Sequence, residues 1–160
     1  MAEPRQHTYQ VKTVWHGGAE GSTKGYKSYS RNHVVEADGK APLALSADPN
    51  FRGDAARHNP EDLLVASLSA CHMLWYLHLC SVNGVEVVDY VDSAFGTMEE
   101  TGGGNGHFTE VVLRPVVTIT PDSDKDTAMA QHEPANKQCF IANSVNFPIR
   151  HEASVVVAGA

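Results

Sequence analysis

The chain holds three cysteines, Cys71, Cys80 and Cys139, and a thiolate is among the strongest nucleophiles that a protein side chain offers near neutral pH. An odd number cannot all pair within one chain. None lies in the Cys-x-x-Cys or His-x-x-Cys spacing that chelates zinc, so free thiols in a reducing compartment are the simpler reading. Cys71 sits near the middle of a long uncharged run, residues 63–82 (LLVASLSACHMLWYLHLCSV), too far from a helix N-terminus for the helix dipole to activate it. Burial alone favours the protonated thiol. A reactive Cys71 therefore requires a cation from outside its own helix. Taken singly, Cys71 and Cys139 also read as small apolar core residues. Cys80 follows Cys71 by nine residues, which at about 100° per residue puts it on the opposite helix face, and it reads as structural.

Nine histidines invite a metal reading. Cys71 and His78 share a helix face but are about 10 Å apart along it, too far to hold one ion without further ligands. His72 has no partner evident in sequence. No metal and no cofactor is expected.

The elements that must position these side chains follow from punctuation and periodicity. Residues 7–15 and 26–37 read as extended segments around a Gly-rich turn, a hairpin. Residues 42–58 carry two prolines and no periodicity and read as a loop. The helix that follows starts with Asn59 as N-cap, Pro60 in the first helical position and Glu61 and Asp62 against the positive helix end. It stops at Asn83-Gly84. Apolar residues on every side of it, among them Leu64, Leu68, Leu74, Trp75 and Leu79, predict that neighbours cover its whole circumference. Residues 85–100 and 108–120, rich in Val, Thr and aromatics, form a second hairpin across Thr101-Gly102-Gly103-Gly104-Asn105-Gly106. A weaker helical stretch, 121–145, carries Cys139 and is interrupted by Pro134. A last strand at 152–158 completes an α+β order with no alternating βαβ run.

Composition sets the outer limits. A chain of 160 residues with 42% hydrophobic content closes one substantial core, so a single domain over 1–160 is expected. The formal charge of -7 argues against nucleic acid or an anionic membrane as main partner. The opening residues 1–6 lack the basic-then-apolar pattern of a secretory signal, which makes cytoplasm the expectation. The run 63–82 has the length of a membrane span. Its serines and histidines, the absence of a basic flank and its start on Glu61 and Asp62 favour a helix buried in protein.

One pattern changes how the cysteines are read. The segment His58-Asn59-Pro60-Glu61-Asp62-Leu63-Leu64-Val65-Ala66-Ser67-Leu68-Ser69-Ala70-Cys71 is followed far downstream by Cys139 and then Ser144. Here the sequence resembles the family of osmotically inducible protein C and the organic hydroperoxide resistance proteins, whose hallmark is an Asn-Pro-Glu-x-Leu helix start, small residues leading to a first cysteine, and a second cysteine in a later helix. The order of elements matches that family across nearly the whole chain.

The resemblance implies antiparallel sheets wrapped around long central helices in an intertwined homodimer. It also implies a thiol-dependent peroxidase of oxidative stress defence that reduces organic hydroperoxides to alcohols, with hydrogen peroxide as a secondary substrate. In it Cys71 is the peroxidatic cysteine and Cys139 the resolving one, with Glu61 and an arginine beside the first. Arg52, just before the helix, is the preferred arginine, and Arg57 and Arg31 compete with it. An external dithiol, such as a lipoyl protein, would reduce the disulfide. Phe51, Met73, Trp75, Phe140 and Ile141 flank these residues and would line an apolar pocket. The chain departs from the family pattern at His72 directly after Cys71, at Pro134, and at Phe140 where proline is common, with Ser144 later than the usual serine. The alternative is a non-enzymatic protein that binds an apolar small molecule on the same fold.

Overall fold

The computed structural model describes residues 5–159. Residues 1–4, which open the segment read above for a leader, and residue 160 lie outside the described residues. The chain forms two compact units, one reaching to Leu63 and the other running from Leu64.

In the first unit β1 (Lys12–Val14), β2 (His33–Glu36) and β3 (Leu43–Leu45) make an antiparallel sheet in that order. Thr13 lies opposite Val35, and Val34 opposite Ala44. The expected hairpin thus forms, with strands shorter than the extended runs suggested. The connection is taken up by two 3-10 turns, Gly17–Glu20 and Ser22–Lys24. Trp15 folds over the first of them and donates its indole N–H to the Ser30 carbonyl at 2.8 Å. A Cβ on Gly17 would come within 2.3 Å of that ring, so a glycine is required there.

Residues 42–58, expected as a loop, contain β3 and a 3-10 turn at Pro49–Phe51. A three-residue strand is too short to show alternation, which is why the sequence pattern hides it. Ser46, fully buried, cinches the segment. Its N–H donates to the His58 carbonyl at 2.9 Å and its hydroxyl accepts from the Asp54 N–H at 3.0 Å.

Helix α1 spans Pro60–Val82, as the punctuation predicts. The Asn59 side-chain oxygen accepts from the Asp62 N–H at 2.7 Å, and the Asp62 carboxylate accepts from the Asn59 N–H at 3.3 Å. This reciprocal cap satisfies two otherwise unpaired donors. At the other end Gly84 adopts φ 72°, and the Val85 N–H reaches back to the Cys80 carbonyl at 2.9 Å, closing the last turn. The buried residues of α1 are Leu68, His72, Tyr76 and Cys80, one every four residues. The opposite stripe, Ala66, Ala70, Leu74 and His78, is exposed, with Leu74 63% accessible. Coverage of the whole circumference, expected from the apolar composition, is therefore not reached within this chain, because core partners meet only one side. The helix is long and apolar enough to cross a membrane, yet its buried stripe packs into both apolar clusters of the second unit.

The long extended runs of the second unit each divide in two, giving β4 (Val87–Asp92), β5 (Phe95–Thr101), β6 (Asn105–Leu113) and β7 (Pro115–Ile119). The expected last strand is found as β9 (Ser154–Val157), and a further strand that the sequence reading did not include, β8 (Ile149–His151), precedes it. Two sheets result, in the orders β4-β7-β9 and β5-β6-β8. β8 and β9 join their sheets in parallel, where antiparallel sheets were expected, while the order of elements still contains no alternating βαβ run. Alternation marks a strand but not the direction of its partner. Asp92, where β4 ends, accepts the Ser69 hydroxyl of α1 at 2.5 Å and the Arg114 N–H at 2.7 Å.

The stretch from 121 to 145 contains α2 (Lys125–Ala130) and α3 (His132–Gln138). The break expected at Pro134 falls instead at Gln131. Pro134 occupies the first turn of α3, where a missing N–H removes no helical hydrogen bond. Cys139, expected inside a helix, instead caps α3 in extended conformation, with φ -65° and ψ 111°.

Replacing Asn59 by Ala is expected to lower stability by about 1 kcal/mol, with Asp at the same position tolerated. Urea denaturation of both variants, monitored by circular dichroism, measures the difference.

Candidate active site

Cys71 lies in the middle of α1, partly accessible, and Cys139 at the end of α3 is 1% exposed. Both are free thiols. The two side chains nonetheless meet: burial, and then a side-chain hydrogen bond to Cys71, push the Cys139 thiol up to about 11. Cys139 therefore keeps its proton at neutral pH.

The turn after Cys139 is braced from several directions. The Ala142 N–H donates to its sulfur at 3.4 Å, and its carbonyl accepts from the Asn143 N–H at 3.0 Å. Asn143 donates its side-chain amide to the Lys137 carbonyl at 2.9 Å, and the Ser144 hydroxyl donates to the Phe140 carbonyl at 2.7 Å. Ser144, later than the family pattern leads one to expect, thus closes the loop that carries the second cysteine.

Of the apolar residues singled out in sequence, Trp75 and Phe140 meet edge to face with ring centroids 5.5 Å apart. Trp75 also contacts His78. Leu74, Trp75 and His78 line a shallow apolar pocket of about 270 Å³, three and more residues along α1 from Cys71. Ile141 turns into the core beside Leu68, Val111 and Leu113. Phe51 belongs to the first unit, where it ends a 3-10 turn.

Arg52 and Glu61 also belong to the first unit. Arg52 is exposed and caps that 3-10 turn at φ 66° and ψ 28°, a left-handed conformation. For a residue with a Cβ this costs on the order of 1 kcal/mol and marks a position worth attention. Among the described residues Arg52 and Glu61 form no ion pair, with each other or with any other side chain. The competing arginines are engaged. Arg57 pairs with Asp54 at 3.4 Å, and Arg31 stacks on Tyr26 and Tyr29 while donating to their carbonyls.

Sequence reasoning missed the most unusual feature of the second unit. His72 and His132, each 1% exposed, share a hydrogen bond of 3.0 Å between His72 Nε2 and His132 Nδ1. The His151 ring sits 5.7 and 6.0 Å from theirs, and Tyr76 stacks on His132 at 4.0 Å. The outer nitrogens, His72 Nδ1 and His132 Nε2, are buried without a partner, as is the Tyr90 hydroxyl. His72 and His132 are 60 residues apart, and no local signal joins them. Among the described residues no group of three or more His, Cys, Asp or Glu side chains is arranged to hold a metal ion.

Three-stranded sheets, a long capped helix and a thiol pair between that helix and the end of a short one define an α+β protein of a known kind. The profile of the family described as OsmC-like protein matches residues 53–154, and the chain belongs to that family. It is similar to an OsmC-like protein of unknown function from Vibrio cholerae, with 31% identity, a TM-score of 0.84, and 93% of this chain and 100% of that one covered. An organic hydroperoxide resistance protein OsmC from Legionella pneumophila shares the fold at 22% identity and a TM-score of 0.66, covering 96% of this chain and 100% of that one. The uncharacterized protein YmaD of Bacillus subtilis is 23% identical over 96% of this chain and 97% of its own length. The fold expected from the Asn-Pro-Glu start and the two cysteines is thus the one found.

The histidine pair generates a pH prediction. Desolvation first, and the neighbouring His151 next, lower His72 to about 4. Desolvation, His72 and His151 lower His132 to about 3. Both groups bind protons more tightly in the unfolded chain, near 6.5. Their contribution is therefore fully present above that pH and is lost as pH falls through 6.5 toward the folded values. Between pH 6.5 and 5 the loss is about 2 kcal/mol for each histidine taken alone. Urea midpoints measured at pH 7.5 and 5 are expected to differ accordingly, and the difference should shrink in the variant carrying both His72→Phe and His132→Phe.

Proposed function

We propose that the chain is a thiol-dependent peroxidase that reduces organic hydroperoxides through Cys71 and Cys139. The observation that supports this reading best is the pairing of two neighbouring free thiols with unequal surroundings. Cys71 is accessible enough to meet a substrate. Cys139 is buried, protonated and within reach.

In the first step the Cys71 thiolate attacks the terminal peroxide oxygen and the O–O bond breaks. The leaving alkoxide takes up a proton to become the alcohol, and Cys71 is left as sulfenic acid. Cys139 then gives up its proton and attacks the Cys71 sulfur. The S–O bond breaks, water leaves and a disulfide forms. Backbone N–H groups of Ile141 and Ala142 directed at the Cys139 sulfur oppose the effect of burial and ease that ionisation. An external dithiol returns both sulfurs to thiols, and the lipoyl group of a carrier protein is the donor we propose.

The cation that a mid-helix thiol needs is assigned to Arg52. Its guanidinium is charged at any working pH, it has no ion-pair partner among the described residues, and its backbone is held in a strained conformation. Glu61 is assigned the task of orienting it. The pocket of Leu74, Trp75 and His78 favours an alkyl or aryl hydroperoxide over hydrogen peroxide. The exposed stripe of α1 is the surface we assign to a second copy in a homodimer, and the free thiols fit a cytoplasmic setting. Relatives named as organic hydroperoxide resistance proteins support the substrate class.

Cys71→Ser is expected to lower cumene hydroperoxide consumption by about a thousandfold or more, since no other group replaces the nucleophile. Cys139→Ser should complete one turnover and leave a sulfenic acid that dimedone traps. Arg52→Ala should slow the peroxide step about 10- to 100-fold, whereas Arg57→Ala leaves it near the wild-type rate. Full turnover by the Cys71 variant overturns the proposal, as does binding of the hydroperoxide without consumption by the wild type.

A further inference from the structure

We propose that His72 and His132 are positioning residues for the second cysteine: their hydrogen bond fixes the start of α3 against α1, so that Cys139 at the end of α3 reaches Cys71. The inference rests on the two-cysteine cycle proposed above and adds to it a pair of residues outside the thiol site.

The placement of the four side chains carries the argument. Cys71 and His72 are consecutive in α1, so one turn of that helix presents the thiol in one direction and the imidazole in another, about 100° away. His132 opens α3 and Cys139 caps it. Seven residues separate them, nearly two full turns, so they return to the same side of a short rigid rod. The rod therefore touches α1 twice, imidazole to imidazole at its start and thiol to thiol at its end. One turn further along α1, Tyr76 stacks on His132 beside the first contact and Trp75 meets Phe140 beside the second.

The histidine contact is the directional one. A hydrogen bond of 3.0 Å between two rings within 3° of coplanar tolerates little rotation of either, whereas apolar packing allows sliding. α3 has seven residues and α2 six, too short to hold their shape or place unaided. Groups facing the pair are His151 from β8, Asp92 from β4, and Tyr76 from α1, which in turn packs on Tyr90. None of them hydrogen-bonds either ring. A displacement of α3 by an ångström at its start is carried to Cys139 and lengthens the path between sulfurs, to which closure of a disulfide is steeply sensitive.

The test separates closure of the disulfide from its first step. His72→Phe removes the hydrogen bond and keeps a ring, while His72→Gln keeps a polar atom near the position of Nε2. After a pulse of cumene hydroperoxide, dimedone labelling reports formation of the sulfenic acid, and mass spectrometry of quenched samples reports the disulfide. In parallel, diamide, which takes two electrons and two protons from a thiol pair and becomes a hydrazine, drives closure without peroxide. His72→Phe is expected to form the sulfenic acid within about twofold of wild type and to close the disulfide about tenfold more slowly with both oxidants. His72→Gln should restore most of the closure rate. Wild-type closure by His72→Phe, or equal slowing in both variants, overturns the inference. If the Phe variant does not fold, the pair His132→Leu and His132→Asn poses the same question from the other ring. Failure of the peroxide arm in wild type, with the diamide arm behaving as stated, overturns the peroxidase reading and leaves the positioning role standing.

Discussion

A thiol halfway along an apolar helix gains nothing from the helix that carries it. Cys71 lies far from the positive end of α1, surrounded along the chain by alanine, histidine and methionine, and everything that could change its chemistry must be delivered by other elements. Much of the second unit can be understood from that constraint. α3 ends where it does to bring a second sulfur. The turn at Ala142–Ser144 is tied back on Cys139 and Phe140, and the Ser69 to Asp92 hydrogen bond fastens the α1 turn just before Cys71 to the strand end of β4. The helix supplies rigidity, and its partners supply reactivity.

The opposite character of the two sulfurs follows from where each lies. One faces the accessible side of α1 near Trp75, and the other is enclosed at a helix end with backbone donors around it. Burial keeps the enclosed thiol protonated at neutral pH. In the cycle we propose, oxidant is thereby directed to the accessible sulfur, and the enclosed one is held back for the step that follows.

Much of this was legible in the sequence, and the reasons are local. Asn59-Pro60-Glu61-Asp62 and Asn83-Gly84 mark the ends of α1 because capping is decided within four residues. Strand segments were visible as β-branched runs, but their divisions at Ser93 and Arg114, and the parallel seating of β8 and β9, depend on partners far away in the chain. Pro134 misled because a proline inside a helix and one in a first turn look alike until the start of the helix is known. The histidine pair was invisible for a stronger reason: His72 reads as one more residue of an apolar helix, and only the fold brings His132 to it. For the candidate site, Cys71 and Cys139 were found by pattern, while the unpaired state and positive φ of Arg52 are properties that only a backbone reveals.

The hydrogen bond between His72 and His132 also has two equivalent forms. Two neutral imidazoles carry two protons on four nitrogens. One proton lies between the rings, and the other must sit on an outer nitrogen, either His132 Nε2 or His72 Nδ1 according to which ring donates. Both outer atoms are buried without a partner, so neither form satisfies the core fully and neither is favoured by a fixed acceptor. Exchanging one for the other requires a proton to leave one buried outer nitrogen and another to reach the opposite one, and no partner stands at either to carry it. The interior beside the thiol pair thus holds a small electric dipole whose direction does not change while the core stays closed.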